Sequence, residues 1–127
     1  MIGLYIGIGA ALGAVFRWYL SLSLNSIFPT IPMGTLFSNI LGGFLIGMFM
    51  GITKGNVYIS ETMRLMIVTG FLGGLTTFST FSAETVNLIT NQQYLWSVIM
   101  ITGHVLGSIF ATVLGIYFIK FFVFIWS

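Results

Sequence analysis

Four long apolar runs separated by short polar stretches set the pattern of this chain. The first goes from about Ile2 to Leu24 and is closed by Asn25-Ser26 and the Pro29-Thr30-Ile31-Pro32 turn. The second spans about Met33 to Thr53 and meets Lys54-Gly55-Asn56, a polar exit to water. The third covers about Thr62 to Ile89 and the fourth about Tyr94 to Phe122, with Thr90-Asn91-Gln92-Gln93 between them. About 20 mostly apolar residues cross a bilayer as a helix, so each run is long enough. The pattern predicts an all-α membrane protein of four transmembrane helices, a single integral domain over residues 1–127.

The third run carries an interruption. Gly70-Phe71-Leu72-Gly73-Gly74-Leu75-Thr76-Thr77 is too rich in Gly and Thr for a strong continuous helix, so a helix broken near its middle is expected there. Lipid offers backbone groups no partner, and a break therefore needs protein, water or an ion to satisfy them. Carbonyls released by the first half-helix suit a small cation, and amides opening the second half suit an anion.

Composition sharpens the class. Of 127 residues 57% are hydrophobic and 5% charged, far below the charged share of a soluble domain. Net charge is +2 with no Lys/Arg cluster, which excludes nucleic-acid binding. Zero Cys, one His and no Asp leave neither a triad nor a metal centre of side chains, so an enzyme is not expected. The amino terminus lacks a basic residue ahead of its apolar run and reads as a first membrane helix, not a cleaved signal. Lys54, Arg64 and Lys120 fall on the side of the termini and Arg17 on the other, a weak bias toward cytoplasmic termini.

Small residues recur every fourth position: Gly3/Gly7, Gly9/Gly13, Gly43/Gly47/Gly51 and Gly103/Gly107/Ala111/Gly115. Such stripes allow close backbone packing in lipid, and four thin helices have so little interior that part of it is expected between subunits. Among polar groups, Thr76 through Ser82 is the densest. Phe78 and Phe81 share a helix face, and their electropositive ring edges could line an anion path, although packing alone would also explain the pair. His104, Ser108 and Thr112 form a polar stripe on the fourth span that could pass an ion or tie helices together. His104 has no acidic partner in the sequence to orient it. Asn39 places an amide with two donors inside the second span. Arg17 and Glu84 are charges deep enough to cost about 2.5–3.5 kcal/mol each at a helix centre; Arg17 is late enough in its helix to snorkel outward.

Three stretches carry a family resemblance: Gly9-Ala10-Ala11-Leu12-Gly13-Ala14-Val15-Phe16-Arg17-Trp18, Gly34-Thr35-Leu36-Phe37-Ser38-Asn39, and Gly70 through Ser82 with its Gly-Gly-x-Thr-Thr-Phe-Ser-Thr-Phe string. In these the chain resembles the Fluc fluoride channels, also called the CrcB family. The resemblance implies an antiparallel, dual-topology homodimer with two pores passing fluoride passively, and a structural Na+ at the dimer centre. On this sequence it assigns the Na+ carbonyls to Gly73 and Thr76, the aromatic box to Phe78 and Phe81, and the pore amide to Asn39. Ser108 and Thr112 match its polar track, with Thr77, Ser79 and Thr80 nearby. Arg17 and Glu84 match its charged positions, and His104 is the least regular match. A bacterial inner membrane is the expected location. The alternative is a small proton-coupled multidrug exporter working through Glu84, although such proteins resemble this one in size and carry their essential Glu in the first span. A non-transporting assembly subunit is the third class.

Overall fold

The computed structural model describes residues 1–126 and is all-helical. Helix α1 is Ile2–Leu24, α2 is Met33–Lys54, α3 covers residues 61–75, α4 is Phe78–Thr90 and α5 is Tyr94–Trp126. With α3 and α4 taken as two halves of one span, four segments are long and apolar enough to cross a membrane, so this is a multi-pass membrane protein. The sequence bounds agree to within a residue, except at the end of α5, which outruns Phe122.

Local chemistry fixes the joints. Between α1 and α2, Asn25 Oδ1 accepts the Gly34 amide at 2.8 Å, which satisfies a donor that the first turn of α2 cannot serve. Ser60 caps α3 by accepting from the Met63 amide at 3.2 Å. The α4–α5 turn is a Schellman closure: the Gln93 amide donates to the Leu88 carbonyl at 2.8 Å and the Gln92 amide to the Ile89 carbonyl at 3.0 Å. It sets Gln92 at φ 60°, a left-handed position held here by a residue with a Cβ.

Two helix pairs organise the bundle: α2 lies along α5, and α1 lies along α3. Both are glycine seams with touching backbones. A Cβ on Gly47 would strike the Thr112 carbonyl, one on Gly43 would come to 2.7 Å from the Ser108 carbonyl, and one on Gly115 would strike the Phe44 carbonyl. On the other pair, a Cβ on Gly13 would strike the Phe71 carbonyl, and one on Gly74 the Ala10 carbonyl. Gly3 and Gly7 differ from the rest of the small-residue pattern, since a Cβ there would meet nothing within 4 Å.

The third span is broken, but not over the whole stretch expected from composition. Gly73–Leu75 stays helical, and the break is confined to Thr76 (φ −90°, ψ 154°) and Thr77 (φ −151°, ψ 114°). Upstream, Leu65–Leu72 is wound as a π-helix, with the Gly73 amide reaching the Val68 carbonyl. The wider turn is compatible with the close α1–α3 seam, where Gly70 and Gly74 lie against the α1 backbone. π-segments are uncommon and cluster near functional sites.

Candidate functional site

The break at Thr76–Thr77 is where backbone bonding is redistributed. In an unbroken helix the Thr77 amide would serve the Gly73 carbonyl; here it donates to Asn39 Oδ1 at 2.8 Å. The Thr80 amide, natural partner of the Thr76 carbonyl, instead donates to Thr77 Oγ1 at 3.1 Å, the N-cap of α4. Gly73 and Thr76 thus present carbonyls without their helical partners. The Gly74 carbonyl is taken by Arg17, whose Nε donates to it at 3.0 Å. Arg17 thus has a partner inside the fold, a freed carbonyl held by a charge-assisted bond stronger than a neutral one.

Asn39 clamps the break from α2. Its Nδ2 donates to the Thr77 carbonyl at 3.0 Å while its Oδ1 accepts the Thr77 amide, so one side chain engages both backbone polar groups of that residue. The same Nδ2 lies 3.0 Å from His104 Nδ1 on α5. His104 is buried at 4% exposure, and its Nε2 has no partner. Its ring lies against Phe81, centroids 4.4 Å apart, and Phe81 meets Phe78 edge-on with centroids 5.5 Å apart. Phe81 is buried and Phe78 is 77% exposed, so the two rings begin inside the chain and end on its surface.

These groups converge on a groove of about 520 Å³. Asn39, Thr76, Thr77, Phe78, Phe81 and His104 line it, with Gly73 and Ser108 also on its wall. Thr112 lies off that lining, and its hydroxyl donates to the Ser108 carbonyl at 2.9 Å, back onto its own helix. The Thr76 hydroxyl does likewise, to the Leu72 carbonyl at 2.8 Å. Ser79 and Thr80 also lie off the lining; they interact with Thr77 Oγ1 at 3.3 and 3.0 Å. Of the hydroxyls expected to line an ion path, Thr77 and Ser108 reach the groove.

Glu84 stands apart from it. Its Oε1 accepts from the Thr35 hydroxyl at 2.7 Å, and its Oε2 is buried without a partner. Thr35, 2% exposed, is a site residue that sequence reasoning passed over. The signal was present, because Thr35 and Asn39 are four apart and so share a face of α2. The orienting partner of His104 was likewise missed: it is the Asn39 amide, not an acid.

Residues 4–116 match the family model described as CrcB-like protein, Camphor Resistance (CrcB). Curated relatives cover most of the chain. The fluoride-specific ion channel FluC of Nitrosospira multiformis is 51% identical over 122 residues, 93% of this chain and 95% of that one. The proteins of the same name in Pseudomonas syringae pv. maculicola and Tolumonas auensis are 50% and 51% identical, each covered to nearly nine-tenths on both sides.

Proposed function

This chain belongs to the CrcB-like family, and from that premise we propose that it is a fluoride-selective channel that lets the anion leave a cell passively through the bacterial inner membrane. The observation that carries the reading is the groove at the helix break, where an apolar wall holds a few donors and two aromatic rings. Fluoride is small and tightly hydrated, so a path for it must replace water with closely spaced donors and positive ring edges. Asn39, Thr77, Ser108 and His104 supply polar groups, and Phe78 and Phe81 supply edges. Thr112, Ser79 and Thr80 support the wall from behind through their bonds to Ser108 and Thr77.

The working unit in this reading is a homodimer of oppositely inserted copies, each contributing one four-span membrane domain. Phe78 supports it, since a ring so exposed beside polar groups lacks its facing wall within one chain. A central Na+ belongs to the same reading. Among the described residues no group of three His, Cys, Asp or Glu side chains could hold a metal. Carbonyl oxygens are, however, the hard ligands such a cation takes, and the Gly73 and Thr76 carbonyls have lost their helical partners to Asn39 and Thr77. Na+ held there would supply a fixed positive charge beside the anion path. Arg17 steadies the same break by holding the neighbouring Gly74 carbonyl.

Efflux from liposomes containing the purified protein, driven by a potassium diffusion potential and read separately for fluoride and chloride, tests the proposal. Rapid fluoride loss with chloride retained is expected. Folded protein that releases no fluoride would refute the channel and turn attention to proton-coupled export through Glu84.

A further inference from the structure

The backbone at the break dictates the protonation of a side chain on another helix. Thr77 has one N–H, which can only donate, and one C=O, which can only accept. Both are bonded to Asn39, at 2.8 and 3.0 Å. The amide orientation is therefore forced: Oδ1 must face the N–H and the NH2 must face the C=O, because a flip would oppose donor to donor and acceptor to acceptor. The remaining hydrogen of that NH2 faces His104 Nδ1 at 3.0 Å. A ring nitrogen that accepts cannot carry a proton, so in the neutral ring the proton sits on Nε2. Nε2 is the buried ring nitrogen that the protein leaves without a partner, on a residue lining the groove.

We propose that Asn39 is a positioning residue which, relayed from the Thr77 peptide, locks His104 as the Nε2–H tautomer so that a fixed N–H donor is held for the anion. This rests on the channel reading for the identity of the ligand; the tautomer lock itself does not. An unpaired N–H in a low-dielectric site is costly, and a small anion stripped of water is the ligand that offsets that cost most, through a charge-assisted bond. The opposite tautomer would present a lone pair to the same anion and repel it. The relay also couples the two halves of the site, because any change in the Thr77 peptide alters the Asn39 amide and hence the ring.

The chain has a single His, so ring-15N-histidine labelling gives one unambiguous pair of nitrogen signals. Solid-state NMR of the labelled protein in lipid bilayers at neutral pH should show a protonated Nε2 and a bare Nδ1. In Asn39→Asp the carboxylate cannot donate to Nδ1, and the proton should appear on Nδ1. Sodium fluoride added to the native protein should shift the Nε2 signal, with sodium chloride leaving it in place, and His104→Leu should lower fluoride efflux by roughly tenfold to a hundredfold, the loss of a bond to a charged group. A bare Nε2 in the native protein, or an Nε2 proton that persists in folded Asn39→Asp, would overturn the lock. A correct tautomer with no shift on adding fluoride would overturn the donor role. Absent fluoride efflux with the tautomer as expected would remove the channel reading and leave the lock intact.

Discussion

At the scale of single residues, the two Phe rings are the part of the site most exposed to test. Phe78 and Phe81 meet edge-on, yet one is 77% exposed and the other buried against His104. Phe78→Ile removes a ring edge while disturbing little packing inside the chain. It should lower fluoride efflux by roughly tenfold, the factor that corresponds to ~1.4 kcal/mol and lies within reach of an aromatic quadrupole. The proposed dimer should still elute as such on gel filtration. Phe81→Ile should do the same with some loss of stability, because it also removes a packed ring. Native efflux in both variants would end the ring-edge proposal. The sequence singled out Asn39, Thr77, Phe78, Phe81, His104 and Ser108, which line the groove, but not their partners. Asn39 and His104 lie 65 positions apart and Thr35 and Glu84 49 apart, distances at which spacing rules say nothing. The partner of Arg17 was hidden for the same reason: its late place in α1 suggests snorkelling, and only the fold reveals the Gly74 carbonyl, 57 positions on, that its Nε meets.

At the scale of elements, hydrophobic run length placed all four spans, since lipid thickness alone dictates it. The nature of the interruption escaped, because whether a Gly-rich stretch breaks, bends or winds wider depends on what packs on it. Here the α1 backbone lies against Gly74 within a helical turn, and the two threonines after Leu75 break. Small-residue spacing likewise announced close packing without saying which glycines touch. Two glycines of α5 separate the cases. A Cβ at Gly103 would meet only the Leu36 Cδ1 at 3.7 Å, whereas one at Gly115 would strike the Phe44 carbonyl. Both substitutions gain about 1 kcal/mol of helix propensity. Gly103→Ala should therefore melt at or above the native temperature in detergent, while Gly115→Ala should lose ~1–3 kcal/mol because backbone cannot yield as a side chain does. Equal melting of the two would show that α2 and α5 are not packed as described.

At the scale of the whole molecule, the site is incomplete on its own terms. The groove has polar groups on its wall and an exposed aromatic at its edge, a combination lipid would not stabilise and a second copy could close. Opposite insertion of that copy requires a chain with little preference for either orientation. The cationic residues that would set such a preference are few, Lys54, Arg64 and Lys120 against Arg17, a weak bias toward one orientation. The chain has no Cys, so one introduced thiol reports orientation without background. Tyr58, 90% exposed between α2 and α3, is a suitable place, because nothing in the chain covers it. In intact cells Tyr58→Cys should react with a membrane-impermeant maleimide to about half its final extent, the rest reacting only after permeabilisation, as equal numbers of the two orientations require. Complete labelling from outside, or none, would mean one orientation and would rule out the antiparallel pair, leaving a parallel assembly to supply the missing wall beside Phe78.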